Sequence, residues 1–549
     1  MSLPEVQNQR SLFEVDVQFA RLFETAPSER FRFFSEKIMP HLRAFRPQLE
    51  TMYCQDNGRP AEEPMRMLAI LILQHMESLP DRKAVEACTY DLRWKMALWM
   101  EVDEPSIHAT SLVKFRNRLK HHDLVMIGFD VVLEAMRNEG YLKAHKAQRL
   151  DSTHVLAHVS HMSRLECVRE TVRLALEVLA EWPEQSRPDA WTDWWERYVE
   201  SSLDFRTDVE TLKQKMTLAG QDARTILAWV DTLADEVKLM KSVVVLRRVY
   251  GENFVETEGN LEQTRAQPSG AIHNPHDPDA QWSSKGTIAG KNKEWIGYKT
   301  QIAETLPSNK PEEKAPTDAV ITAIVTQPAI TSDHASIKVV EEEWARENLD
   351  KPKELYVDGG YTSGEVLADA AHEEREVHGP IQSAPTRGDR FSAEDFDVSI
   401  DERITICPAG HSSTNCSRLD EVSGKVNYRF EWNNNLCQSC ELRHRCLGEC
   451  ASHRTLLVGQ HHQHTQARRR VMKTKDYTQK MHRRNGIEGT ISELKRGYNL
   501  RRCRYRGLEK TRMQTYLIGA ACNIKRWARR MAWESLQADI EGQNALMPA

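Results

Sequence analysis

The 549-residue sequence lacks several features that would assign it to a class directly. No stretch reaches the ~18 uninterrupted apolar residues needed to span a bilayer, so we expect no transmembrane helix and no membrane partner. The start, MSLPEVQNQR, has neither a basic nor an apolar signal region, so we expect no secretory signal. No glycine-rich phosphate loop is present, which argues against a nucleotide requirement. Eleven cysteines without an export signal predict thiols or a metal site in a bacterial cytoplasm, not disulfides.

Charge is distributed unevenly along the chain, although the formal net charge is only −5. Residues 451–532 contain 21 Lys/Arg and four Asp/Glu, a local charge of +17, so the remainder carries −22. A basic run is often only a solvated face. An excess of this size over about eighty residues instead predicts a polyanionic partner, and nucleic acid is the one we expect.

The first 140 residues have a helical pattern. PMRMLAILILQHM (Pro64–Met76) opens with proline and is apolar nearly all round, which predicts a buried helix. HATSLVKFRNRLKHH (108–122) predicts a short basic helix capped by Thr110 or Ser111. Packed helices before a basic helix are compatible with helix-turn-helix DNA recognition, and the alternative is a bundle with a solvated basic face. The DNA-contact candidates in this helix are Lys114, Arg116 and Arg118.

The rest of the chain alternates between strand-like and helical patterns. Runs of β-branched residues separated by helical segments predict an α/β sheet core that is interrupted twice. We predict a helical DNA-binding domain (1–140), a first core part (141–159), a helical insertion (160–255), a second core part (256–400), a Cys-rich insert (401–455), a basic C-terminal core part (456–535) and a tail (536–549).

Three acidic residues stand in unusual surroundings. Asp151 lies within a predicted strand, RLDSTHV, where a charge is costly unless something compensates it. Asp358 follows the short strand LYV and precedes a Gly-Gly turn, at the strand end where open α/β sheets place their sites. Glu488 lies in a predicted helix over 483–496, with Arg484 one turn before it.

Simpler interpretations of these acids remain open. Glu488 and Arg484 at i,i−4 fit a surface ion pair worth a few tenths of a kcal/mol. An aspartate in a strand is often an edge or turn residue. Asp277 and Asp279 are rivals for the middle acid, although they lie in a proline-flanked loop and not at a strand end.

The sequence resembles the DDE transposases of bacterial insertion sequences, in the group with a D-G-Y second motif and a Y-x2-R-x3-E-x6-K third motif. Arg484, Glu488 and Lys495 match the third motif's spacing, and Met481 stands at its tyrosine position. LDST resembles the first motif and VDGGYTSGE the second, while HDPDAQW to WIGYK and the ending RRCRYRGLEKTRMQTYLIGAACNIKRW are also similar to the family. The resemblance covers most of residues 30–530.

The resemblance implies an α/β RNase H-like catalytic core in which Asp151, Asp358 and Glu488 converge as catalytic residues and hold two Mg²⁺ (or Mn²⁺) ions. It implies cleavage and strand transfer on double-stranded DNA, both terminal inverted repeats and target, by a homodimer in a synaptic complex associated with the nucleoid. The alternatives are a catalytically silent DNA-binding regulator and a nuclease without joining activity. The DNA-contact candidates are Arg484, Lys495, Arg496, Arg501, Arg502, Arg504 and Arg506.

Six of the eleven cysteines fall between Cys407 and Cys450. Cys437-x2-Cys440, with Cys446 after five intervening residues, has the spacing of a zinc knuckle. We expect a structural zinc ion with Cys407 as the distant ligand; packed thiols are the alternative. The fourth ligand stays open among Cys407, Cys416, His411 and Cys450.

Two further segments are predicted to be ordinary. The histidine-rich stretch GQHHQHTQARRR looks like a metal site but is polar throughout, so we predict a solvated loop. The scattered cysteines are expected to be packing residues: Cys54, Cys88, Cys167, Cys503 and Cys522.

Overall fold

The computed structural model describes most of the chain. The described residues are 3–4, 11–23, 29–54, 58, 60–142, 147–183, 187–202, 208–257, 259–285, 293–308, 315–385, 388–422 and 424–546. Within these ranges no helix combines the length and the apolar character that a membrane crossing requires. Residues 143–146 of the predicted first core part and 547–549 of the predicted tail lie outside the described residues.

Every helix or strand described within the first 140 residues is a helix, and turns and loops connect the helices. The predicted buried helix is present with the expected bounds. The basic helix begins at Ala109 and is capped by His108, whose side chain accepts the Thr110 amide, so the predicted Thr110 or Ser111 cap is wrong. The helices are α1 Val15–Gln18, α2 Glu29–Phe33, α3 Met39–Ala44, α4 Arg46–Glu50, α5 Pro64–Met76, α6 Asp81–Tyr90, α7 Leu92–Ala97, α8 Ala109–His121 and α9 Ile127–Asn138.

A single long strand follows, and then the helical insertion. The insertion has its own apolar core, which includes Trp194, and it ends in a small hairpin. Its elements and the strand before them are β1 Ala147–Leu156, α10 Arg164–Leu179, α11 Trp191–Trp195, α12 Val209–Asp231, α13 Asp235–Lys238, α14 Lys241–Asn253, β2 Phe254–Thr257 and β3 Asn260–Gln263.

The central sheet is mixed and is assembled from distant parts of the chain. Its remaining elements are β4 Gln281–Lys285, β5 Lys293–Thr305, β6 Ile321–Pro328, α15 Asp333–Arg346, β7 Glu354–Tyr356, α16 Gly364–His372 and β8 Glu376–His378. The strand order is β6-β5-β1-β7-β8, with β4 also on β5. β5 runs antiparallel to both of its neighbours, β6 and β1, whereas β7 and β8 run parallel to β1.

The Cys-rich insert forms two small sheets with two short helices. It has a small core of its own that includes Phe430 and Trp432. Its elements are β9 Asp397–Ser399, β10 Ile404–Ile406, β11 Asn415–Asp420, β12 Val426–Glu431, α17 Asn434–Gln438, α18 Arg443–Cys446 and β13 Thr455–Gly459.

The C-terminal part is helical and contributes to the main core. Its helices are α19 His462–Met472, α20 Lys475–His482, α21 Gly486–Gly497 and α22 Leu508–Leu546. α22 packs against α5, α9 and β6, and Trp527 meets Phe33 edge to face at 5.0 Å. One hydrophobic cluster therefore joins the N-terminal helices, one face of the sheet and α22. α22 also extends through most of the segment predicted as a tail.

Candidate active site

Two of the three acids lie side by side on neighbouring parallel strands. Arg149 of β1 pairs with Tyr356 of β7, and each acid follows two residues later, Asp151 within β1 and Asp358 just after β7. The turn after Asp358 is anchored by Tyr361, whose buried hydroxyl donates to Gln301 Oε1 on β5 at 2.5 Å. The parallel register thus brings two distant residues to one level of the sheet.

The third acid is presented by α21. Ile487, Ile491 and Leu494 are buried and pack the helix on the main core, which leaves Glu488 exposed in the first turn. The helix was predicted from residue 483, but 483–485 form a 3₁₀ turn and α21 begins at Gly486.

Arg484 lies among all three acids. Its Nη2 is 3.1 Å from Asp151 Oδ2 and 3.8 Å from Asp358 Oδ2, and its Nη1 is 3.7 Å from Glu488 Oε1. The Arg484 and Asp151 side chains are largely buried, whereas those of Asp358 and Glu488 are more than half exposed. One guanidinium faces three carboxylates, so the cluster keeps a formal charge of −2.

Burial is the main influence on Asp151. Burial raises the pKa of the Asp151 carboxyl, and the nearby carboxylates of Asp358 and Asp333 raise this pKa further. The Ser152 amide and the Arg484 guanidinium act in the opposite direction and lower it. Asp333 begins α15, where its Oδ1 accepts from Ser152 Oγ at 3.2 Å and lies 3.3 Å from Lys299 Nζ.

The close approach of Asp333 explains one of the two glycines in the turn. A Cβ added to Gly360 would lie 2.9 Å from Asp333 Oδ2. The sequence patterns did not single out Asp333. The one local signal was its position in the first turn of a helix that follows a strand.

The donor chemistry of the cluster fits a hard divalent cation, since three carboxylates supply oxygen ligands. Among the described residues, however, no group of three or more His, Cys, Asp or Glu side chains is already arranged to hold a metal ion. At the three acids, the Arg484 guanidinium lies between the carboxylates.

A second charge network lies next to this cluster and is buried. Glu304 of β5 is fully buried; its Oε1 accepts from Arg149 Nε at 2.6 Å, and its Oε2 accepts from Arg526 Nη1 of α22 at 2.9 Å. Arg526 Nη2 also lies 2.8 Å from Glu493 Oε2 on α21. The network is formally neutral and joins β1, β5, α21 and α22.

This network holds the start of α21 close to β1. Arg149 Nη1 donates to the Arg483 carbonyl at 3.2 Å, and Thr490 Oγ1 donates to Glu304 Oε2 at 2.7 Å. A Cβ added to Gly486 would lie 1.9 Å from Arg149 Nη1, so only glycine leaves room for that guanidinium. The buried network therefore positions the helix that carries Glu488.

The rivals for the middle acid have structural contacts. Asp277 is fully buried and accepts from Tyr298 Oη at 2.7 Å and from the Gly507 amide at 3.1 Å. Asp279 Oδ2 accepts from the Leu508 amide at 3.0 Å. Both acids satisfy amides at the start of α22, away from the other two acids.

The predicted DNA-contact residues differ in how exposed they are to solvent. Arg501 and Arg502 are exposed and adjoin the end of β1, where the Leu156 amide donates to the Arg501 carbonyl at 2.9 Å. Lys114, Arg496 and Arg506 are also exposed, and Lys495 is partly buried.

Three of the predicted DNA-contact residues have internal roles instead. Arg116 is buried, pairs with Asp81 and lies over the Tyr505 ring. Arg118 lies over the Tyr53 ring at 4.5 Å, and Arg504 Nη1 donates to the Leu79 carbonyl at 2.6 Å. Arg116 in particular is not available to a phosphate here, because the basic face of α8 packs partly on the C-terminal segment.

The cysteines and histidines also differ in part from expectation. Cys88, Cys167, Cys503 and Cys522 are buried as predicted, whereas Cys54 is exposed. The histidine-rich stretch is the helix α19 and not a solvated loop, because His462 and Gln466 on one face are buried. Burial lowers the pKa of His462 to about 4.

The fold and the site together define a class: an α/β protein with three convergent carboxylates behind a helical N-terminal region. Comparison with protein families makes this more specific. Residues 406–528 match the family "Transposase DDE domain", and residues 21–118 match "Transposase domain (DUF772)". Two segments of the chain are therefore similar to transposase domains. Comparisons with curated proteins and with solved structures found no significant match.

The two matched segments cover different parts of the site. The DDE match contains most of the Cys-rich insert, Glu488 and much of α22, and the other match contains α2 to most of α8. Asp151 and Asp358 lie outside both segments, so their assignment rests on the geometry around Arg484.

Proposed function

We propose that this protein is a DDE transposase of a bacterial insertion sequence, with an RNase H-like core that cuts DNA strands at the element's ends and joins them to target DNA. The main support is the meeting of Asp151, Asp358 and Glu488 at one guanidinium. The sheet order, three antiparallel strands followed by two parallel ones, also fits such a core.

In this proposal the three carboxylates hold two Mg²⁺ or Mn²⁺ ions. Such ions would activate the attacking oxygen and stabilise the leaving oxygen of an in-line displacement at phosphorus. Arg484 moves from the acids to the phosphodiester, and Lys495 steadies the same strand. Arg484 Nε, which is buried without a hydrogen-bond partner, is a donor that a phosphate oxygen would satisfy.

The reaction then has two steps, each of which exchanges one bond at phosphorus for another. Water attacks the phosphodiester at the element's end and releases a 3′-hydroxyl. That hydroxyl attacks a target phosphodiester and displaces its 3′-oxygen, so the ends are joined without a covalent protein intermediate. Two ends require two active sites, so the working form on DNA is a homodimer.

The exposed basic residues favour duplex DNA as the partner. Arg501, Arg502 and Arg506 lie in the loop between α21 and α22, whose first part adjoins the strand that carries Asp151. Arg504 of this loop and Arg116 of α8 both contact the region around Asp81 and Leu79. The basic loop and the basic helix thus lie together, which offers the DNA backbone a surface beside the end of the strand that carries Asp151.

The proposal is tested by Mg²⁺-dependent nicking of a labelled element end. Asp358→Ala should lower the rate by more than about 100-fold, since even the supporting groups of metal ligands contribute 10- to 100-fold. Glu365→Gln, which removes an exposed acid that pairs with Lys338, is the matched control and should retain activity. Equal cleavage by wild type and Asp358→Ala would end the assignment, and no cleavage by the wild type would leave a silent regulator.

Joining needs its own assay. A pre-nicked end with a free 3′-hydroxyl should be transferred to target DNA by the wild type and not by Asp358→Ala. Hydrolysis without any joined product would identify a nuclease instead.

A further inference from the structure

We infer that Cys407, Cys437, Cys440 and Cys446 bind one structural zinc ion that braces the insert between Asp358 and Glu488. The four residues come from three separate segments: Cys407 follows β10, Cys437 and Cys440 lie in α17 and just after it, and Cys446 ends α18. All four line the same small cavity. Its volume of about 20 Å³ suits a single ion and not an organic ligand.

The structure selects among the ligands that the sequence left open. Cys416 and Cys450 do not line the cavity, and Cys450 is exposed. His411 lines it, but its side chain is exposed and its carbonyl closes the turn by accepting from the Cys407 amide at 2.9 Å. Cys407 is therefore the fourth ligand, which makes a closed tetrathiolate site of the structural type.

Two arginines in the cavity wall complement such a site. Arg443 and Arg454 both line the cavity, and the Nε of each is buried without a hydrogen-bond partner. Zinc with four thiolates carries a charge of −2, which two guanidinium groups balance. Bound thiolates would also accept from the two orphaned N–H groups, as the outer partners of metal ligands commonly donate.

The cysteine side chains as placed do not form a three-donor group within the described residues. Binding therefore selects the side-chain rotamers that turn the sulfurs inward. Each thiol loses its proton as its sulfur bonds to zinc, so four protons are released.

The insert has a reason to need such a brace. Its own core is small, with eight buried residues that include Cys437 itself, and small modules commonly depend on a metal or on disulfides. From β13 the chain leads directly into α19, where Gln466 Nε2 donates to the Phe396 carbonyl of the insert at 3.0 Å. The zinc would thus steady the segment that leads to Glu488, without contacting the reacting atoms.

Metal analysis of the full-length protein purified with zinc present tests the inference. We expect one zinc per chain, lost in Cys437→Ser and retained in Cys416→Ser and Cys450→Ser. No bound zinc in the wild type, or equal loss in Cys450→Ser, would overturn the site. Asp358→Ala should keep its zinc, so this result is separate from the test of catalysis.

Two further measurements test the zinc site even if the Cys437→Ser variant does not fold. Titration of the wild type with an organomercurial should release the zinc as four thiols react; release without thiol modification would overturn the ligand set. Replacement by Co²⁺ should give the absorption of a tetrahedral tetrathiolate, unchanged in His411→Ala. A spectrum of three sulfurs and one nitrogen would remove Cys407 as the fourth ligand.

Discussion

Two charge clusters of this molecule share β1 and α21 and differ in their charge balance. The Arg484 cluster has three carboxylates and one guanidinium, and two of its acids are more than half exposed. The Glu304 cluster has two carboxylates and two guanidiniums, and Glu304 and Arg526 are almost completely buried. Balanced charge with burial indicates a structural role, whereas unbalanced charge beside solvent leaves a place for a cation.

The comparison predicts the largest stability loss at Glu304. Glu304→Gln removes the negative charge that Arg149 and Arg526 share, so Arg526 keeps only Glu493 and the network carries a net buried charge of +1. We expect a loss of about 3 kcal/mol in the free energy of unfolding, measured as a lower urea midpoint. Glu365→Gln breaks an exposed pair and should cost less than about 1 kcal/mol. Equal midpoints for Glu304→Gln and wild type would remove the structural role of the network.

A smaller effect is expected at the unbalanced cluster. Arg484→Ala removes the guanidinium that competes with a divalent cation for the three acids. We expect Mg²⁺ to bind the DNA-free protein about 3-fold or more tightly in this variant, measured by calorimetric titration.

Arg483→Ala is the matched control for Arg484→Ala. Arg483 directly precedes Arg484 and is about half exposed. Its ion pair is with Glu354, at 3.7 Å, and not with any of the three acids of the cluster. Its Mg²⁺ affinity should equal that of the wild type. Weaker or unchanged Mg²⁺ binding by Arg484→Ala would show that the guanidinium does not occupy the cation's place.

The smallest effect concerns the pH dependence of Asp151. Because burial raises its pKa in the folded state, the carboxylate destabilises the fold at pH values above its unfolded pKa. Asp151→Asn should therefore raise the thermal midpoint at pH 7 by about 1–3 °C while removing activity. The gain should disappear as the pH falls towards the unfolded pKa, where the acid is protonated in both states. An increase in the thermal midpoint that does not depend on pH would contradict burial of the Asp151 carboxylate as the cause. An equally large increase in Glu488→Gln, which changes an exposed acid, would also contradict it.

Much of the fold could be predicted because the signals are local. The apolar run of Pro64–Met76 and the apolar positions of α21 repeat at helical spacing, and the structure has helices there. The β-branched runs became β5 and β6. The polar stretch that forms α19 was missed, since its buried face consists of His462 and Gln466, which carry no hydrophobic periodicity.

The candidate site was predicted in part. Asp151, Asp358 and Glu488 were selected by their local contexts and a family resemblance, and the structure brings them together at Arg484. The partners of the arginines could not be read from local pattern: Arg484 and Asp151 are 333 residues apart, and Arg526 and Glu304 are 222 apart. For the same reason the burial of Arg116 against Asp81 was not foreseen.

The sequence by itself determined which segments are helices or strands and where the chemistry-bearing acids and cysteines stand, because neighbouring residues express those preferences. Only the tertiary structure decided which arginines are exposed, which pair with acids in the interior, and which cysteines share a cavity. Those outcomes depend on charges and sulfurs that are far apart along the chain and meet only when the sheet and its flanking helices pack.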